Sequence, residues 1–288
     1  MAGVVYFGTK DKQSWIKSPS SGMRANSVGW ATKTQLLNGR ASVRRSKASH
    51  REFNAEWFGD LNSGLDSSLQ EIKNYSNGLY GDGPYYFLDP YAASQNVLPP
   101  HWAAPMLTEN DWPNLATDIV PVFTKSYEDN GFPFKYVTYT VTTGYVSTNK
   151  LVLIIPEGQT LNFGWHGPAT AETTGIRIVP YDRMTGNADV AIDPERIDIG
   201  GTTRTNTTIN GTDYSYVEIF LAADTDQDIK ISAMIAQILP TGSSVATGGF
   251  IAGKGTTELE FENSPEIEYY SAAIGGGQIG MSVNWIEV

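Results

Sequence analysis

The chain is predicted to be mainly β, with an N-terminal β unit carrying one short helix and then a two-sheet β-sandwich or jelly roll. Three observations lead there. The 288 residues are 40% apolar and only 18% charged, and 29 Gly and 15 Pro punctuate runs of β-branched and aromatic residues, a mix that suits short strands joined by turns. A clear helical period occurs once. From residue 135 onward, short alternating or continuous apolar runs recur between turn residues.

In chain order, Val4-Val5-Tyr6-Phe7 and Ser14-Trp15-Ile16 read as strands about a polar Thr9–Gln13 turn. Trp30–Leu37 and Ala41–Ser46 flank Asn38-Gly39, a hairpin signal because both residues tolerate positive φ. His50–Phe58 alternates through Phe53, Ala55 and Trp57. Leu65, Leu69 and Ile72 then share one helical face, predicting a helix over 64–77 with Ser63 and Asp66 as a capping box and Gly78 as its stop. Pro105, Pro113, Pro121 and Pro133 mark residues 101–135 as an extended connector, since each restricts the residue before it; Trp102, Trp112 and Phe123 would anchor it. Strands are expected at 135–146, 151–155, 160–166, 175–180, 203–209, 214–222, 228–238, 257–261 and 279–287. The predicted organisation is therefore a β domain over 1–100, the connector over 101–135 and a β-sandwich domain over 136–288.

Charge divides the chain the same way. Residues 1–100 hold 11 Lys+Arg against 8 Asp+Glu, and residues 101–288 hold 9 against 23. So acidic a second half disfavours nucleic acid or an anionic membrane as partner. Cysteine is absent, which removes disulfides and thiol chemistry. Neither a signal peptide nor a membrane span is predicted, and the protein is expected to be soluble.

Catalytic patterns are sparse. His50, His101 and His166 belong to no metal-ligand spacing, and nucleophile-elbow, Walker and dinucleotide-binding patterns are missing. No catalytic residue, cofactor or metal is expected. Asp224-Thr225-Asp226-Gln227-Asp228 sets alternating carboxylates as hard cations prefer, but Ile229 and Ile235 stand where an EF-hand needs Gly and Glu; the rival reading is a polar turn. Asp193, Glu195 and Asp198 cluster beside Ile192 and Ile197, as on an ordinary strand edge. Trp165-His166 and Tyr269-Tyr270 are candidate glycan contacts in the second unit, the alternative for each being core packing. Arg44-Arg45 is either a contact with an acidic neighbouring subunit or a solvated strand edge.

The densest aromatic run is Gly78-Leu79-Tyr80-Gly81-Asp82-Gly83-Pro84-Tyr85-Tyr86-Phe87-Leu88-Asp89-Pro90, continuing through Asn96-Val97-Leu98-Pro99-Pro100-His101-Trp102-Ala103-Ala104-Pro105. It resembles the distal or minor tail proteins of siphophages that infect actinobacteria, which show a comparable Gly-Pro, aromatic, Asp-Pro, then Asn-x-Leu-Pro-x-x-Trp-Ala-x-Pro run. Gly253-Lys254-Gly255, Tyr270-Ser271-Ala272-Ala273-Ile274 and the closing Trp285-Ile286-Glu287-Val288 are a second, weaker likeness. The resemblance implies a non-enzymatic structural protein of the virion tail tip, made in the host cytoplasm. It implies a homo-oligomeric, usually hexameric, ring that joins the tail tube protein to other tail-tip proteins. It also implies an outward second β-sandwich, jelly-roll-, galectin- or carbohydrate-binding-module-like. On this reading Arg44, Arg45, Trp57, Tyr80, Tyr85, Tyr86, Phe87 and Trp102 are candidates for subunit contact, or for holding the first unit and connector together. The rival reading makes the second unit a host-glycan adhesin or, further off, a glycan depolymerase.

Overall fold

A computed structural model of the chain describes residues 3–28, 31–35, 41–45, 50–60, 63–103, 116, 118–125, 135–167, 175–194, 196–197, 207–243, 253–255, 258–270 and 277–288. It is mainly β, as predicted. The first stretch holds β1 (Val4–Gly8), β2 (Gln13–Lys17), β3 (Met23–Val28), β4 (Ala31–Gln35), β5 (Ala41–Arg45), β6 (His50–Asp60) and α1 (Leu65–Ser76). Next come β7 (Tyr86–Leu88), α2 (Pro90–Gln95), α3 (Pro100–Ala103) and β8 (Val122–Lys125). The sandwich strands are β9 (Lys135–Val141), β10 (Tyr145–Val146), β11 (Leu151–Ile154), β12 (Gln159–His166), β13 (Ile176–Asp182), β14 (Arg196–Ile197), β15 (Thr207–Asn210), β16 (Tyr214–Ala223), β17 (Gln227–Ile231) and β18 (Ala233–Pro240). The chain closes with β19 (Leu259–Phe261), β20 (Glu268–Tyr270) and β21 (Gln278–Glu287).

The chain forms two compact units whose division corrects the predicted boundaries. Unit 1 comprises Met1–Val5, Ser14–Tyr85 and Glu258–Val288, and unit 2 comprises Tyr6–Gln13 and Tyr86–Thr257. The break thus falls inside the aromatic run, between Tyr85 and Tyr86, and the last 31 residues, Glu258–Val288, belong to the first unit. The cause is strand pairing: β21 runs antiparallel along nearly all of β6, from Gln278 opposite Asp60 to Ile286 opposite Glu52. The connector is corrected as well. Its described part includes β8, which pairs with β9 as a sheet strand, while Trp112 lies outside the described residues.

Unit 1 is built on a five-stranded antiparallel sheet in the order β19-β21-β6-β3, with β20 also pairing β21. In β6 and β21 the odd residues Phe53, Ala55, Trp57, Ile279, Met281, Val283 and Trp285 are buried, as period-2 alternation requires. α1 covers this side through Leu65, Ser68, Leu69, Ile72 and Tyr75, three of them the predicted face. Gly78 has φ 73°, and its N–H bonds to the Tyr75 carbonyl while that of Leu79 bonds to Asn74, so the predicted glycine stop is formed. The capping box is not. The N-cap is Gly64, with no side-chain cap, and the Ser63 hydroxyl donates instead to the Asp60 carbonyl at 2.6 Å. β4 and β5 pair from Ala31–Arg45 to Gln35–Ala41, as the hairpin predicts; its Asn38-Gly39 turn lies outside the described residues.

Unit 2 is a sandwich. One sheet sets β10 and β11 along one edge of β16 and β13 along the other; the second sets β14 and β15 along one edge of β12 and β18 along the other. Their facing side chains, among them Leu153, Leu161, Phe163, Trp165, Ile178, Val217, Ile219 and Ile238, form one continuous core. A third sheet orders β17-β9-β8. The single strand predicted over 228–238 is two strands in two sheets. They part at Ser232, whose N–H bonds to the His166 carbonyl at 2.7 Å, the strand-switching corner that sandwiches use.

Candidate functional site

The predicted contact aromatics are core residues. In unit 1, Trp57 meets Trp285 edge to face at 6.1 Å, Trp285 lies 5.8 Å from Phe261, and Phe261 lies 4.7 Å from Tyr85. Tyr75 completes the ladder against Tyr85 at 6.3 Å and Tyr80 at 4.7 Å. Edge-to-face contacts at these spacings are favourable for the ring quadrupoles. The polar tips are used too. Trp57 Nε1 donates to the Lys17 carbonyl at 2.7 Å, the Tyr85 hydroxyl to the Tyr75 carbonyl at 2.9 Å, and the Tyr80 hydroxyl to Glu71 at 3.0 Å. Tyr86, Phe87 and Trp102 are buried in unit 2. Packing within the chain, not presentation to a neighbouring subunit, is how the structure uses these anchors. Their use as exposed subunit contacts is corrected, because only Tyr80 is even partly accessible. Arg44 and Arg45 lie on β5 opposite Thr32 and Ala31, and their side chains fall outside the described residues, as does that of His101.

The motif Asn96-Val97-Leu98-Pro99 has a definite structural role. Buried Asn96 accepts at Oδ1 from the N–H groups of Ala236, at 3.1 Å, and Leu98, at 3.2 Å, and donates through Nδ2 to the Met234 carbonyl at 3.2 Å. One side chain thus pins the Asn96–Pro99 segment, a strap, to the edge of β18 that β12 leaves open, reinforced by Val97 N–H donating to the Ala236 carbonyl at 2.8 Å. The other face of the strap receives the second sequence signature. Lys254 N–H donates to the Asn96 carbonyl at 2.9 Å and Gly255 N–H to the Leu98 carbonyl at 3.1 Å. A Cβ on Gly255 would lie 1.6 Å from the Val97 carbonyl oxygen, and one on Gly253 would lie 2.2 Å from that of Leu98. Both glycines exist to let backbone meet backbone.

The glycan candidates divide. Trp165 is fully buried, its Nε1 donating to the Pro194 carbonyl at 3.2 Å, and His166 is buried beside it. Sugar contact by these two is corrected: β12 alternates Leu161, Phe163 and Trp165 into the sandwich core. The acidic loop does not converge on a common point. Asp224 pairs with Arg177 at 3.0 Å, Asp226 accepts from the Thr143 N–H and hydroxyl at 2.7 and 2.9 Å, and Asp228 accepts from Thr140 at 2.7 Å. It is the polar turn between β16 and β17, and among the described residues no His/Asp/Glu group is arranged to hold a metal ion. Asp193 is engaged by Arg177 at 2.9 Å; Glu195 and Asp198 lie outside the described residues.

Tyr269 and Tyr270 remain accessible, 65% and 46% exposed. They sit on the edge strand β20 of unit 1, not in the second unit. Register places Tyr270 opposite Gln278, which is opposite Asp60, and Glu268 opposite Gly280, which is opposite Phe58. Phe58, 51% exposed, meets the Tyr270 ring edge to face at 5.6 Å. Gly280 forms the floor between them, since a Cβ there would come within 3.4 Å of Tyr270 Cε2 and 3.5 Å of Phe58 Cδ2. The Tyr270 hydroxyl donates to Glu268, which holds the phenol above its ordinary pKa and fixes the ring. Glu56 and Ser282 continue the same outward face. Phe58 was absent from the sequence candidates, although it breaks the alternation of β6 by setting a large apolar residue on the polar side.

The sandwich sheet centred on β16 carries a different polar cluster. Glu218, on β16, accepts from Lys10 at 2.9 Å, Lys150 at 2.6 Å and the Tyr181 hydroxyl at 2.9 Å. Burial alone would push its carboxyl up, but the bonds from Lys150, Lys10 and Tyr181 outweigh that and leave it below the ordinary carboxylate value. Tyr181 stacks on Tyr216 at 4.3 Å. This is an ionised, satisfied ion pair, which holds the loop bearing Lys10 and does not exchange protons near neutrality.

No protein-family model matches the chain, and no curated protein sequence does. Among solved structures, the enzymatically active domain of tailspike protein 4 of bacteriophage CBA120 aligns at 13% identity with a TM-score of 0.31, over 53% of this chain and 22% of that one. The CBM22-1–GH10 modules of Clostridium thermocellum endo-1,4-β-D-xylanase 10B align at 13% identity and a TM-score of 0.24, over 54% of this chain and 28% of that one. The infectious bursal disease virus VP2 subviral particle aligns at 10% identity and a TM-score of 0.21, over 99% of this chain and 76% of that one. The chain thus spans under a third of the tailspike and xylanase structures it matches. At these TM-scores the likenesses carry no argument about function.

Proposed function

We propose that the chain is a non-catalytic structural component of a bacteriophage tail tip, a distal or minor tail protein that assembles as a homo-oligomeric ring and joins the tail tube to the adsorption apparatus. The observation that supports this reading is the run from Gly78 to Pro105 and its partner Gly253-Lys254-Gly255. The two signatures on which the family resemblance rests are hydrogen-bonded to each other, through residues more than 150 positions apart in sequence. They therefore behave as one structural device. A rigid strap fixed by backbone bonds suits a protein that must present a fixed surface to neighbouring subunits.

The test is the mass of the purified chain by light scattering across concentration, with negative-stain images of the same fractions. Closed rings of one defined subunit number are the expected result. A monomer at every concentration, which also fails to join purified tail tubes, would overturn the reading.

A further inference from the structure

The outward face of β6, β21 and β20 holds two half-exposed rings over a glycine floor, bordered by Glu56, Asp60, Glu268, Gln278 and Ser282. We propose that this face binds a neutral glycan, with Phe58 and Tyr270 as the stacking platform and the polar side chains around them as hydroxyl partners.

Chemistry selects this occupant. A pyranose ring presents C–H groups on one side, and these rest favourably on the electron-rich face of an aromatic ring. Its hydroxyls need acceptors and donors at the margin, which carboxylates, an amide and a serine hydroxyl supply. None of these bordering side chains is cationic, so phosphate-bearing or uronate chains would be repelled. Arg24 lies further off, beside Asn54, four residues along β6 from Phe58. Two rings among five polar groups make too little apolar area for the core of a stable protein interface. With strands about 4.8 Å apart and alternate residues about 6.8 Å apart, three strands by three rows give a platform about 10 by 14 Å, room for two or three sugar units. The Tyr270–Glu268 bond and the contact with Phe58 fix the Tyr270 ring in advance, so little ordering is left to binding. All of the site's residues come from unit 1 of a single chain.

Saturation-transfer NMR and affinity electrophoresis of the full chain with cellohexaose and chitohexaose, and with polygalacturonate as the anionic counterpart, test this. Saturable binding of at least one neutral hexaose is expected, with Kd between about 0.1 and 5 mM, and polygalacturonate should not be retained. Phe58→Ala and Tyr270→Ala should each weaken binding tenfold or more, whereas Tyr270→Phe should retain most of it. The exposed variant Gln278→Ala, which disturbs no core contact, should lose about three- to tenfold and covers the case in which an aromatic variant fails to fold. Two results would overturn the proposal: no saturable binding of either neutral hexaose, or binding unchanged in well-folded Phe58→Ala. In the second case the rings serve only to shield Gly280. Light scattering of the same samples keeps this outcome separate from any failure to form rings.

Discussion

The strap over β18 and the outward face of β6–β21 are both rich in aromatic and polar residues, and the structure uses them in opposite ways. In the strap, Trp102 and Val97 are buried and every hydrogen-bonding atom of the Asn96 side chain is engaged within the unit. On the sheet face, Phe58 and Tyr270 stay half exposed, with carboxylates around them. The difference teaches that aromatic density marks neither core nor surface by itself. What decides is whether a second layer of backbone lies over the residues: Gly253-Lys254-Gly255 covers the strap, while no described segment is paired over the sheet face.

The comparison can be broken most severely at Gly255. With a Cβ 1.6 Å from the Val97 carbonyl oxygen and other backbone atoms behind it, Gly255→Ala must displace one of the two chains. A loss of about 3–5 kcal/mol is expected, seen as failure to fold or as a drop in urea midpoint; a stability change below about 1 kcal/mol would show that the strap is not covered as described. Asn96→Ala should follow. It strands the buried N–H groups of Ala236 and Leu98 and the Met234 carbonyl, at a cost of about 2–4 kcal/mol in the same measurement.

The smallest effect contrasts an acid that the fold engages with an uncharged polar group on the open face. Glu218 titrates below its ordinary value of 4.5 in the folded state. The stability it contributes is therefore complete above about pH 4.5 and is lost as pH falls through the lowered folded pKa. Glu218→Gln should flatten the acid limb of a stability-versus-pH curve there, whereas Gln278→Ala, on the exposed face, removes no titrating group and should keep the parent's limb. Parallel acid limbs for the two variants would remove the distinction.

Much of this architecture was legible in the sequence. The helical period of Leu65, Leu69 and Ile72, the glycine stop at Gly78, the β4–β5 pairing and most sandwich strands follow from local pattern. The capping box failed because the Ser63 hydroxyl is drawn to the Asp60 carbonyl, a competition that spacing does not reveal. The true destination of Glu258–Val288 was not legible, because alternation tells which side of a strand is buried but not which sheet it joins. At the candidate sites, the inward direction of Trp165 was written in the Leu161, Phe163, Trp165 alternation. Phe58 was likewise visible as an apolar residue out of phase with Phe53, Ala55 and Trp57. Neither signal named a partner, since Gly280 lies more than 200 positions away.

The β6–β21 pairing also sets a timetable. During synthesis β6 emerges early, but its central neighbour, Gln278–Glu287, leaves the ribosome only after all of unit 2 has been made. The buried side of β6, with Phe53 and Trp57, has only β3 and α1 as partners for that interval, while Tyr86–Thr257 has its own strands in hand and can fold first. Because late, long-range pairing leaves an apolar strand open to wrong neighbours, the nascent chain is most exposed to misassembly at β6, and unit 1 is the last part of the molecule to become itself.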